Sequence, residues 1–481
     1  MEEARKGCWL AARGSVAAAL CCFLLFGPTR AVHSAAPSTP EREGTRVAAS
    51  GVTPATIAAG GSDGTEGATL PPRAAGDGGT PPQVRPFRVI YQWPKGQIRP
   101  PVLGGDGSVY VGSGDGFLYA FGARGERKWA MDLRGNPSDP VVGPDGTIYV
   151  VIPYGEGSPL VAISPEGEEK WRLKVVLDGT APWEPVRLTV FDGGLYIASA
   201  NNKRGSVEAV STQGVQRWRV RGPNTFGPRV FGPDGTVYFE RDNSMHALTP
   251  DGATAWSVDV GKAKGTYALA LHNGTLYRVT YQPNSLQALS LDGKVKWALT
   301  EKGWYRVGPD GSCYLSVGST ISAFTAAGER KWTLDIPSED IQADVTEGRL
   351  ALGQGGAIYL GGNSRSLLAV DAKGQIAWQR NGLGKVVYPR MVGDDGTVYV
   401  RAGKSLYAFA PDGSIRWQSD IGFAYGEAES ENMVVAPSGA VFIAAVAPKS
   451  GLFVPKTSSD SDTMRYALAL GAKSMLLMIG G

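Results

Sequence analysis

From residue 86 onward the chain repeats one pattern of polar turn residues followed by alternating apolar positions. The first motif is a turn leading into an apolar residue and an aromatic. It runs from Asp106-Gly-Ser-Val-Tyr110 and Asp145-Gly-Thr-Ile-Tyr149 through Asn273-Gly-Thr-Leu-Tyr277 to Asp395-Gly-Thr-Val-Tyr399, with a weaker ninth copy at Ser438-Gly-Ala-Val-Phe442. Asp-Gly and Asn-Gly tolerate positive φ and suit tight hairpins, and the alternation after them is that of a half-buried strand. The second motif is apolar, any residue, Ala, apolar, as in Leu118 to Phe121 and Leu406 to Phe409. Its fixed Ala marks a place where packed sheets leave room for little more than a methyl. The third is Gly-x-x-x-Trp, from Gly125 to Trp129 through Gly413 to Trp417, in which the Gly makes a turn and the Trp starts the next strand.

Successive repeat tryptophans between Trp129 and Trp417 are separated by about 41 residues, the length at which four short strands make one propeller blade. A single blade cannot cover both of its faces, and stacking blades around an axis covers them with each other. The repeat tryptophans are therefore expected to pack between neighbouring blades.

The order Asp-Gly-Thr-Val-Tyr, then Leu-Tyr-Ala-Phe, then Gly-x-x-x-Trp resembles the repeats of the pyrroloquinoline-quinone (PQQ) propellers over about residues 87 to 475. That group includes quinoprotein dehydrogenases and non-catalytic relatives such as the propeller lipoprotein of outer-membrane protein assembly. The resemblance implies an all-β propeller of four-stranded antiparallel blades.

Val89-Ile-Tyr-Gln-Trp93 reads as an outermost strand with its Trp. A degraded ninth unit runs from Met433 through Phe442 to Tyr466-Ala-Leu-Ala-Leu470, with Gly471 to Met475 standing where Gly-x-x-x-Trp should be. The ring is expected to close by pairing N-terminal with C-terminal strands. Eight blades are expected, with nine left open.

The N-terminus changes the picture. Arg5, Lys6 and Arg13 precede the apolar run Ser15 to Phe26, and small residues follow at Ser34 to Ala36, so residues 1–36 read as a cleaved export signal. The run is short of the ~20 apolar residues that a spanning helix needs, so membrane attachment is expected only through an uncleaved signal. Ala18-Ala19-Leu20-Cys21 departs from the order of a lipoprotein attachment site. Residues 37–85, rich in Gly, Ala, Thr and Pro and free of aromatics, cannot bury enough apolar surface to offset their chain entropy and read as a disordered tether. Residues 86–481 then form the propeller, and the expected location is periplasmic, cell-surface or extracellular.

With 48 basic and 45 acidic residues scattered along the chain, there is no concentrated basic face of the kind that binds nucleic acid. A quinoprotein dehydrogenase of the group would be expected to carry adjacent cysteines, calcium ligands and a catalytic Asp. The adjacent Cys21 and Cys22 lie in the signal, and no catalytic, cofactor or metal residue is assigned. The Asp-Gly pairs read as turns rather than calcium ligands. His246 reads as an exposed alternate strand residue, His272 as the residue before a turn, and Cys313 as a buried small hydrophobe.

What remains is surface. The least regular segments are Val151 to Pro159, Val176 to Leu188 and Lys449 to Thr463, and loops on a rigid scaffold are where binding sites tend to lie. Tyr154, Trp183 and Trp304, aromatics outside the repeat position, are the candidate contact surface. The expected function is an exported, non-catalytic binding or scaffold module whose partner is a protein or an envelope polymer. A PQQ-dependent oxidoreductase with a divergent site is the alternative.

Overall fold

Each hairpin signal in the sequence begins a four-stranded antiparallel meander, and nine such sheets form the protein in a computed structural model. The residues described are 83–93, 98–154, 156–177, 186–200, 204–223, 229–336, 350–362, 365–384, 386–421, 431–446 and 474–479. Blades 1 to 8 occupy residues 102–132, 141–176, 187–223, 229–259, 265–299, 304–335, 350–380 and 387–420 in chain order. The first strands of neighbouring blades approach one another and so surround the central channel, while the fourth strands lie at the rim.

The three motifs meet in one row across each blade. Tyr110 pairs with Ala120, and Ala120 with Trp129. Because side chains alternate along a strand, all three point to one face. The methyl of the Ala leaves room for the two larger rings to meet above it, with Tyr and Trp centroids 5.8 to 6.3 Å apart in all eight blades.

The Trp then docks the next blade. Trp129 Nε1 donates to Pro165 O at 2.8 Å, and the indoles of Trp171, Trp218, Trp256, Trp297, Trp332 and Trp378 each donate to the matching carbonyl one blade on. Two residues after that carbonyl stands the Gly of Gly-x-x-x-Trp. Gly252, at φ +86°, lies so close to the Trp218 ring that a Cβ would come within 2.5 Å of it. Both the backbone conformation and the contact therefore demand glycine there.

The ring has nine blades, not eight. The ninth is assembled from both ends of the described chain: Glu431–Val435, Val441–Val446 and Ser474–Ile479 supply three strands, and Phe87–Trp93 supplies the outermost. Its third strand is Ser474–Ile479. The segment Tyr466 to Leu470, expected there, lies outside the described residues. Counting tryptophans missed this blade because it has no Trp at the repeat position. Trp93 pairs with Ser474 at the strand end, and Arg88 stands opposite Met478 where the Trp belongs.

Two substitutions complete the circle. Gly125 of blade 1 faces Ile90 and Met478 in place of an indole, and Arg88 Nη2 donates to Arg124 O at 2.5 Å in place of an indole N–H. Trp417 of blade 8 meets no following Gly-x-x-x-Trp turn. Instead Gln83–Val84 runs parallel to its strand as a fifth member of that sheet, and the Arg85 guanidinium lies 5.3 Å above the Trp417 ring. Residues 83–85, read from sequence as tether, thus pack as part of the blade.

Candidate functional site

The meander gives the ring two unlike faces. On one, strands 1 and 2 of each blade, and strands 3 and 4 of blades 1 to 8, are joined by tight turns. On the other, second strands end where third strands begin, and the fourth strand of a blade ends where the first strand of the next begins, as at Val176 and Arg187.

The turn face repeats one hydrogen-bond pattern in five of its blades. Asp106 Oδ1 accepts the Ser108 N–H at 2.9 Å and its Oδ2 accepts the Ser108 hydroxyl at 2.7 Å, and the same pair of bonds recurs at Asp145–Thr147, Asp234–Thr236, Asp310–Ser312 and Asp395–Thr397. Lys128, Lys170 and Arg416 from the outermost strands pair with three of these carboxylates. The oxygens are thus engaged in holding the hairpins. Among the described residues no group of three or more His, Cys, Asp or Glu is placed to hold a metal ion.

This network sets a pH response. At Asp106, Asp145 and Asp310, burial alone would raise the carboxyl, but hydrogen bonds from the neighbouring Ser or Thr outweigh it and hold the pKa below the ordinary 3.8. At Asp234 and Asp395 the Thr hydroxyl bond is itself the leading influence. His246 and His272 are held below 6.5, chiefly by burial. A group whose pKa is depressed on folding binds fewer protons in the folded state, so its stabilisation is complete above its unfolded pKa and is lost as pH falls. The urea midpoint is expected to fall as pH drops below 6.5 and to fall further below 3.8. A midpoint unchanged between pH 7 and 3 would contradict this.

His246 is half-buried rather than exposed, its ring stacked on Phe239 at 5.2 Å, because the neighbouring aromatic covers the alternate position. Cys313 is fully buried, and burial pushes its thiol up to about 12, which leaves it an inert core residue.

Of the three aromatic candidates, Tyr154 and Trp304 stand on the loop face. Tyr154 follows the second strand of blade 2 and is 61% exposed, its hydroxyl donating to Arg134 O across the connection from blade 1. Trp304 opens the first strand of blade 6, half-buried and paired with Ser316. Trp183 and the segment Lys449 to Thr463 lie outside the described residues. Topology therefore brings Tyr154 and Trp304 to one face and leaves them on blades well apart around the ring.

Sequence reasoning missed a charged arc at the channel entrance. Arg99, Asp139, Arg187 and Arg229 stand at or just before the first strands of blades 1 to 4. Arg99 N–H donates to Gly112 O and Arg187 pairs with Ala198, each two residues beyond the repeat Tyr of its blade, while Arg229 pairs with Phe239, one residue beyond. These residues thus share nearly one tier. Arg99 is held by Pro137 O at 2.8 Å and by Asn136 Oδ1 at 3.3 Å. The legible signal was an Arg five residues ahead of Asp-Gly, as in Arg187 before Asp192 and Arg229 before Asp234.

Several solved structures are matched by the chain. BamB from Moraxella catarrhalis shares 17% identity, with 68% of this chain and 96% of that one covered and a TM-score of 0.41. For Sqt1 of Saccharomyces cerevisiae the values are 10%, 83%, 100% and 0.46. For apo AztD from Citrobacter koseri they are 13%, 60%, 87% and 0.41. No curated protein matches the chain. The family model described as outer membrane protein assembly factor BamB matches residues 203–307 and 317–463. Those segments cover more than half the sequence and run from the third blade into the ninth, through the Trp docks and the Asp hairpins, and on that ground the chain belongs to this family.

Proposed function

We propose that the protein is a non-catalytic scaffold of the cell envelope that holds a component of the outer-membrane protein assembly machinery on its loop face. The observation that carries this reading is the family match across the repeats, in a family described by assembly of outer membrane proteins. The unlike faces support the choice of surface. The turn face spends its side chains on its own hairpins, whereas the loop face carries the longer connections and the exposed Tyr154. In the same reading residues 1–36 direct export and the stretch that follows tethers the ring.

Interface hot spots are enriched in Trp and Tyr, so the aromatic candidates are the residues to change. Tyr154→Ala is expected to weaken recovery of the partner with the purified protein by about tenfold. Lys294→Gln, on the turn face and exposed, should leave recovery unchanged. Equal recovery with Tyr154→Ala and with Trp304→Ala would remove the loop face as the docking surface.

A further inference from the structure

The arc at the channel entrance sets three guanidiniums, Arg99, Arg187 and Arg229, against the single carboxyl of Asp139, which burial raises above its ordinary pKa although the charges of Arg99 and Arg187 act to lower it. Arg99 already has two acceptors. Arg187 is exposed, and Arg229 holds a buried Nη1 that meets no hydrogen-bond partner among the described residues. Burial first, and then the nearby Arg187 charge, lower Arg229 to about 9, which still leaves it cationic at neutral pH. A buried charged N–H without an acceptor is costly, and a like charge beside it adds to that cost. Both costs are relieved by one kind of group, an oxyanion seated between two planar forks that donate in pairs. The nine first strands converge here, so the low-dielectric walls focus the positive field on the entrance.

We propose that the channel entrance at blades 3 and 4 is an oxyanion-binding site in which Arg187 and Arg229 together hold a phosphate or carboxylate group. Both arginines stand at the loop-face ends of first strands, the face proposed for the protein partner, and a titration without any partner present tests this site by itself. A free phosphoanion and the acidic side chains of a peptide carry the same chemistry, and the test separates them.

The experiment is calorimetric titration of the purified protein at low ionic strength with inorganic pyrophosphate and, separately, with triglutamate. Saturable binding of at least one probe is expected. Pyrophosphate alone identifies a free phosphoanion as the source, and triglutamate identifies an acidic chain. Arg187→Gln and Arg229→Gln should each weaken binding by about tenfold through loss of the paired donors, and Lys294→Gln should leave it unchanged. Arg229→Lys keeps the charge but loses the fork and is expected to weaken binding several-fold. Melting of each variant serves as the folding control: Arg229→Gln should melt no lower than the parent, because it removes a charge without an acceptor. No saturable heat from either probe, or undiminished binding in folded Arg229→Gln, would overturn the site.

Discussion

Glu240→Ala is expected to lower stability by about 3–5 kcal/mol, the cost of stranding a buried charge. Glu240 lies one residue from the end of the second strand of blade 4 and Arg278 lies on the second strand of blade 5, so the pair spans a blade interface. The guanidinium is 2% exposed and donates to both carboxylate oxygens at 2.7 Å. It also donates to Gln287 Oε1 at 2.9 Å and to Val260 O at 3.2 Å, and the Thr266 hydroxyl donates to Glu240. Removing the carboxylate leaves the other acceptors in place but takes away the one anion that pairs with this guanidinium among the described residues. Removing both charges is another matter. Glu240→Leu with Arg278→Met replaces the pair by apolar groups, a change that is often neutral or stabilising. Denaturant midpoints read by tryptophan fluorescence distinguish the two. A single variant that costs under about 1 kcal/mol would show that the pair does not lock the interface.

Deleting residues 474–481 is expected to abolish the cooperative unfolding of the ring. Ser474–Ile479 lies between Val441–Val446 and Phe87–Trp93, so its loss breaks two pairings at once and leaves the N-terminal strand without a neighbour. Met475, Leu476, Leu477, Met478 and Ile479 are each 3% exposed or less. At about 1.5–3 kcal/mol per buried side chain, their burial is comparable with the ~5–15 kcal/mol total stability of a folded domain. Deleting residues 83–93 should act in the same direction, since it removes the outermost strand and uncovers Trp417. A truncated chain that unfolds at the parent midpoint would contradict closure through this blade.

The repeat was legible because its motifs are local. The positions of Tyr110, Ala120 and Trp129 along the chain are enough to predict strands, and the row they form follows from pairing them in order. The role of the glycine was only half legible: sequence shows a turn at Gly252, and the need for it comes from Trp218 one blade earlier. The ninth blade was legible only in part, as a degraded unit and an expected closure by terminal strands. Its strands lie at opposite ends of the described chain, and Arg88, Ile90 and Met478 do the work of an indole without resembling one. The arginine arc was illegible because its members are far apart in sequence and acquire meaning only when the first strands meet around the channel. Tyr154, by contrast, was recognisable as an aromatic outside the repeat, and the fold leaves it exposed.

The loop-face assignment is tested most directly by photo-crosslinking in the envelope, with a crosslinker placed singly at exposed apolar positions of each face. Tyr154 and Val317 lie on the loop face, and Val215 and Val295 lie in hairpins of the turn face. The account predicts that Tyr154 or Val317 links to a component of the outer-membrane protein assembly machinery and that Val215 and Val295 do not. Links to that machinery from Val215 or Val295 alone would contradict it.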